Sequence, residues 1–135
     1  MMEIEFRGKG FYNEKWHYGS YLYLILPDGD EELRPVHYIV DTEDENYAVD
    51  PETVGQYTGK NDMKGKKMYE GDFFIEPPFK EKYEIVYDWS EFCWLKISLK
   101  KYENGRYKTP LKNFNRQPLI IGNKWDNPEL LEESK

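Results

Sequence analysis

The chain is short of the residue types that most small-protein chemistry uses. It has one Cys and two His among 135 residues. A single Cys93 rules out an intramolecular disulfide, so no covalent frame supplements the core. Cys93 lies between Phe92 and Trp94, where a thiol reads as a small buried hydrophobe rather than a nucleophile with a base beside it. His17 and His37 stand alone, outside any metal-ligand spacing or partner motif, so no metal, cofactor or catalytic residue is assigned. Ser20 and Ser98 lack the G-x-S-x-G setting of a nucleophile elbow, and no Gly-rich phosphate loop ends in G-K-[ST]. The acidic run at 41–45 lacks the alternate spacing and turn Gly of a calcium loop. The protein is expected not to be an enzyme.

Basic charge and long apolar runs are scarce as well. Lys plus Arg number 19 against 26 Asp plus Glu, a formal charge of −7, the opposite of a general polyanion binder. The longest apolar segment, residues 21–26 (Tyr-Leu-Tyr-Leu-Ile-Leu), is strand-sized and far from the ~20 residues of a membrane-spanning helix. The opening Met-Met-Glu-Ile-Glu-Phe-Arg has neither the basic start nor the apolar run of a signal peptide. These absences predict a cytoplasmic protein with no membrane partner.

What the chain has in excess is aromatic side chains: four Trp, twelve Tyr and seven Phe, 17% of the residues. That richness argues for a folded protein, and the local patterns are overwhelmingly β. Ile4 and Phe6 alternate with charged residues ahead of Gly8 and Gly10, which predicts a short strand and a turn. Residues 16–26 read as one long strand, with Gly19 marking a bulge or bend. Pro27-Asp28-Gly29-Asp30 is turn chemistry, and residues 36–40 form the next strand. Asp50-Pro51-Glu52 looks like a cap and first helical turn, cut short by Gly55 and Gly59. Residues 60–67 are polar and predict an exposed hairpin or boundary. Residues 83–88 and 92–99 predict an antiparallel hairpin, Asn104-Gly105 a second tight turn, and residues 119–122 a short buried strand. Asn127-Pro128-Glu129 predicts a short helix at 127–133 that docks Leu130 and Leu131.

Three phrases stand out. The first is Tyr47-Ala48-Val49-Asp50-Pro51-Glu52-Thr53-Val54-Gly55-Gln56-Tyr57-Thr58-Gly59, followed by Asp62-Met63-Lys64-Gly65-Lys66. The second is Met68-Tyr69-Glu70-Gly71-Asp72-Phe73-Phe74. The third runs Ile120-Ile121-Gly122-Asn123-Lys124-Trp125-Asp126-Asn127-Pro128-Glu129-Leu130-Leu131. With Ile4-Glu5-Phe6-Arg7 and Lys15-Trp16-His17-Tyr18-Gly19-Ser20 they resemble YopX-type proteins, in order and over nearly the whole chain. The resemblance implies a small protein of phage or prophage origin, and it carries no catalytic residue over to this chain. In physical terms, Gly71 permits a sharp bend and Asp72 closes a turn ahead of an apolar strand, as at the opening of small SH3-like barrels. The expected fold is mainly β. It comprises an N-terminal antiparallel sheet over 1–64 and an SH3-like barrel with a C-terminal helix over 65–135, the barrel closed by strands at 73–76, 83–88, 92–99, 107–112 and 119–123.

Charge is unevenly divided. Residues 1–65 carry a net −8 and residues 66–135 a net +1. The second half holds a basic and aromatic strip over 80–116, with Lys100, Lys101, Tyr102, Arg106, Tyr107 and Lys108 as candidate contacts for single-stranded nucleic acid. The favoured reading is a binding or self-assembling module whose partner is a host or phage protein or a second copy of itself, because small β-domains leave strand edges to cover. Nucleic acid is the alternative. A third reading has the acidic half imitate a polyanion toward a host DNA-binding protein.

Overall fold

A computed structural model of the chain describes residues 3–27, 32–101 and 105–133. Its strands are β1 (Phe6–Lys9), β2 (Trp16–Pro27), β3 (Leu33–Val40), β4 (Asn46–Ala48), β5 (Gly55–Asn61), β6 (Lys67–Tyr69), β7 (Asp72–Ile75), β8 (Tyr83–Asp88), β9 (Cys93–Ser98), β10 (Lys108–Pro110) and β11 (Leu119–Asn123). A 3-10 turn occupies Pro51–Thr53, and the α-helix α1 spans Glu129–Glu133. One sheet runs in the order β4-β3-β2-β1-β5-β6 and a second in the order β10-β9-β8-β7-β11. The chain divides into two compact units, Met1–Tyr57 and Thr58–Lys135, so the division falls inside β5.

The first unit is organised by the length of β2. Its residues 16–19 pair with β1, Lys9 opposite Trp16 and Phe6 opposite Gly19. From Ser20 onward it pairs with β3 instead, Ser20 opposite Val40 through Pro27 opposite Leu33. The predicted bend at Gly19 is where the partner changes. A Cβ there would sit 2.0 Å from the carbonyl oxygen of Val40, so only glycine lets the two backbones approach that closely. The predicted turn at Gly8 is instead strand interior: Val49 packs directly over it, 3.0 Å from where a Cβ would be. A bridge between Gly10 and Val49, with Asp50 N–H donating to Lys9 O and Phe11 N–H to Ala48 O, both at 2.9 Å, ties the end of β4 to the end of β1. Ile39, Val49 and Tyr57 are the buried apolar residues of this unit. As predicted, Asp50 caps the turn that follows, accepting from Glu52 N–H at 3.0 Å. Strands β4 and β5 were not anticipated, because Asn46-Tyr47-Ala48 and the glycine-rich phrase from Gly55 lack apolar alternation.

In the second unit β8 and β9 form the expected hairpin, from Tyr83 opposite Ser98 to Asp88 opposite Cys93. The core is Met68, Phe74, Ile85 and Leu111, with Tyr83, Trp94, Phe114 and Ile120 packed against it. The expected SH3-like barrel is not found as a closed barrel. Among the described residues β10 and β11 end the sheet on opposite sides rather than pairing with each other. The physical reason lies in the connection between them. It contributes Leu111 and Phe114 to the core and so covers the face that closure would otherwise bury. Strand β10 is only three residues long and ends at Pro110, which cannot extend a ladder as a donor.

Two recognised phrases meet here. Asp72, fully buried, accepts from Tyr69 N–H at 2.8 Å across Glu70 and Gly71, closing the predicted turn. Gly71 has φ +91° and lies against the Trp125 ring, 2.5 Å from where a Cβ would be. Asn123 Oδ1 accepts from the N–H groups of Trp125 and Asp126 at 3.0 and 2.8 Å, building the turn that carries the ring. The polar segment expected to be an exposed hairpin holds a buried residue, Asp62. Its carboxylate accepts from Lys64 and Lys66 N–H at 2.9 Å each and from Ile120 N–H at 3.1 Å, joining the β5–β6 turn to β11. Burial pushes this carboxyl up, but the N–H groups of Ile120, Lys66 and Lys64 outweigh it and hold the pKa below the ordinary value. The stability it contributes is therefore present above the unfolded carboxylate pKa and is lost as pH falls through the lowered one. Asp62→Ala is expected to cost about 2 kcal/mol in urea unfolding at neutral pH, with the gap to wild type narrowing as the solution is acidified through that range.

Candidate functional site

Strand alternation divides the basic and aromatic strip. On β10, Lys108 lies opposite Ile97 and Ile97 opposite Glu84, so these three share one face of the sheet. Arg106 and Lys108 act on carboxylates there. Burial raises the Glu84 pKa while Lys124 and Arg106 lower it. The hydroxyl and N–H of Ser90, with a smaller contribution from Lys108, hold Asp88 below its usual range. Tyr107 and Thr109 alternate to the opposite face. Lys100 and Lys101 are exposed ahead of them; Tyr102, and Asn104 of the expected tight turn, lie outside the described residues. The structure thus places Tyr107 apart from Arg106 and Lys108.

The face of Tyr107 holds a site that strip-level reading missed. Lys96 is in the middle of β9, 3% exposed, and its ammonium is 2.5 Å from Oε1 of Glu76, itself 1% exposed. The charge also lies over the rings of Tyr83 and Phe114, 4.8 and 5.8 Å from their centroids, so both ring quadrupoles help to hold it. Asn115 N–H donates to the second Glu76 oxygen at 3.1 Å. Glu81 accepts from the Ser98 hydroxyl at 2.8 Å and from the Tyr83 hydroxyl at 3.2 Å. Two hollows open beside these groups. One, of about 250 Å³, is lined by Lys96, Tyr107, Thr109 and Asn113; the other, of about 220 Å³, by Glu76, Phe79 and Lys80; Glu81, Tyr83 and Asn115 line both. A signal existed in the sequence: Lys96 is a lone charge on the alternation of a strand whose neighbours are Trp94, Leu95 and Ile97.

The other singled-out residues are engaged locally. His17 stacks on Tyr47 at 3.9 Å and reaches the Asn13 amide at 3.3 Å; burial lowers its pKa, with Asp41 opposing. His37 Nδ1 bonds the Tyr21 hydroxyl. Cys93 is half-buried at the end of β9. Among the described residues no cluster of three or more His, Cys, Asp or Glu could hold a metal ion.

The class these features define is a mainly β chain of two antiparallel sheets, in which the prominent phrases serve turns and packing. The chain belongs to the YopX protein family, whose model matches residues 5–132. No curated protein matches it. A crystal structure of protein EF1440 from Enterococcus faecalis is similar at 19% identity, covering 97% of this chain and 99% of that one with a TM-score of 0.46.

Removing one partner of the buried pair leaves the other charge uncompensated. Glu76→Ala and Lys96→Ala are each expected to cost about 3–5 kcal/mol, whereas Glu76→Leu with Lys96→Met is expected to recover most of that loss. A double-mutant cycle from denaturant unfolding measures the difference.

Proposed function

We propose that this is a non-enzymatic protein of phage or prophage origin that acts in the cytoplasm of a host by assembling with itself or another protein. The carrying observation is the distal part of the β2–β3 hairpin. Strand β1 reaches only to Gly19 of β2, and β4 only to Tyr38 of β3. Beyond those points, apart from the Val49 N–H that donates to His37 O at 3.0 Å, the two strands pair with each other alone among the described residues. Leu22, Tyr23, Leu24, Ile25, Leu26 and Leu33 are all exposed there, on both faces, Ile25 at 55% and Leu33 at 69%.

A lone two-stranded arm is marginal in water, and an apolar arm with open edges invites pairing. The β2 strand of this one is unguarded, whereas Arg34 and Pro35 interrupt β3. Residues 16–27 carry no formal charge at pH 7, the longest such run in the chain. In a chain with net charge −7 most surfaces of two copies repel each other, and this run does not. Two arms paired antiparallel about a two-fold axis would bury roughly 600 Å² of apolar surface per copy, near the scale of a stable interface. An apolar hollow of about 350 Å³, lined by Phe11, Tyr12, Pro35, Val36, Val49 and Pro51, extends the surface through Pro35 and Val36 of β3. The engagement of His17 and His37 by neighbouring side chains supports binding over catalysis.

Single-stranded nucleic acid, through Lys100, Lys101, Arg106, Tyr107 and Lys108, is the less supported reading, since Arg106 and Lys108 stand beside carboxylates on the face opposite Tyr107. Light scattering coupled to size-exclusion chromatography is expected to show a concentration-dependent oligomer. Leu24→Lys with Ile25→Lys, one charge on each face, is expected to give a monomer with an unchanged unfolding midpoint. A wild-type protein that stays monomeric at every concentration would overturn self-assembly and leave a host or phage protein as the partner to seek.

A further inference from the structure

We propose that the two hollows beside Lys96 and Glu76 form one binding groove for a neutral saccharide of about two rings, a site independent of the hairpin arm. Glu81, Tyr83 and Asn115 line both hollows, so the hollows adjoin. Together they fall in the range of small-ligand pockets, roughly 300–1,000 Å³.

The charges lining the groove cancel. Glu76 and Glu81 face Lys80 and Lys96, so neither a phosphate nor a polycation gains from entering. What remains is hydrogen-bonding capacity that the protein itself does not use. The Thr109 hydroxyl and the side-chain amides of Asn113 and Asn115 take no protein partner among the described residues, and each can both donate and accept, as a sugar hydroxyl requires of its neighbours. Glu81 at the groove wall is oriented by Ser98 and Tyr83, so the wall is preorganised.

The buried ammonium makes the strongest case. Lys96 has three N–H bonds, and the single oxygen among its protein partners is Glu76 Oε1. Besides that oxygen, the rings of Tyr83 and Phe114, which are weak acceptors, lie near the ammonium, and the residue, 97% buried, lines the hollow. Buried donors lacking a lone pair are costly, and a ligand hydroxyl in the hollow would supply one. Each hollow also has its own aromatic ring at the rim, Tyr107 at 64% and Phe79 at 51% exposure. An exposed ring beside polar groups suits the flat C–H face of a pyranose, whose hydroxyl edges would meet Asn113, Asn115 and Glu81. One ring per hollow gives the two-ring length.

Titration of the full ¹⁵N-labelled chain with cellobiose, maltose and N,N′-diacetylchitobiose, followed by NMR amide shifts, tests this, with uridine as a nucleoside control. At least one sugar is expected to give saturable shifts at Glu81, Thr109, Asn113 and Asn115 below about 10 mM, in the range of weak wet sites. Tyr107→Ala and Asn115→Ala, both at exposed positions, are each expected to weaken binding about fivefold or more without moving the unfolding midpoint. Saturable shifts unaffected by either substitution would overturn the proposal. So would no saturable shift with any of the three sugars, or tighter binding of uridine at the same residues.

Discussion

A β-strand shows alternate residues to opposite sides, and here that constraint decides where the charges and apolar groups of the strands end up. On β9 it sends Lys96 and Ser98 to the core side while Leu95 and Ile97 take the other. On β10 it parts Lys108 from Thr109. On β2 it shows Leu22, Leu24 and Leu26 on one face and Tyr23 and Ile25 on the other, so a segment apolar at every position from 21 to 26 becomes an arm apolar on both sides. A pattern that reads as an ordinary buried strand thus becomes exposed surface when no neighbour arrives to cover it.

Two devices make the constraint tolerable. The first is Glu76, whose carboxylate meets Lys96 inside the core and turns what would be an isolated buried charge into a matched pair braced by two rings. Such pairs seldom add stability over an apolar packing of the same volume, so its presence at a cavity wall is more telling than its energy. The second is a set of buried polar caps, Asp62, Asp72 and Asn123, each accepting backbone N–H groups from turns that could not satisfy them locally. They knit β6, β7 and β11 together without long ladders, and they explain why the prominent phrases of the sequence are rich in Asp, Asn and Gly. Those phrases are architecture. The two surfaces proposed to bind, the hairpin arm and the groove, lie outside the second and third phrases.

Much of the fold was legible in the residues. The β8–β9 hairpin, the cap at Asp50, the turn at Gly71-Asp72, the bend at Gly19 and the short terminal helix all follow from local rules of alternation, φ preference and capping. Strands β4 and β5 were not legible because their glycines and polar residues are held by neighbours rather than by their own pattern. The barrel failed for a related reason: Leu111 and Phe114, in a segment with no regular pattern, occupy the space that closure would have filled. The groove was illegible because Glu76, Lys96 and Asn115 are nineteen or more residues from one another in the chain, and no spacing rule joins them.

By itself, then, the sequence determined a mainly β chain with no disulfide frame, and it determined family membership through phrases that any reader of the residues can point to. It also determined that residues 16–27 carry no charge, since that is composition. Only the tertiary structure decided that residues 22–27 of this run are exposed rather than buried, because exposure depends on how far β1 extends along β2 and β4 along β3. Only the tertiary structure decided that one lysine of a supposed basic strip faces inward to a glutamate while its neighbours face carboxylates outside. Local rules act over a few residues, whereas burial is settled by which distant segments come to share a face.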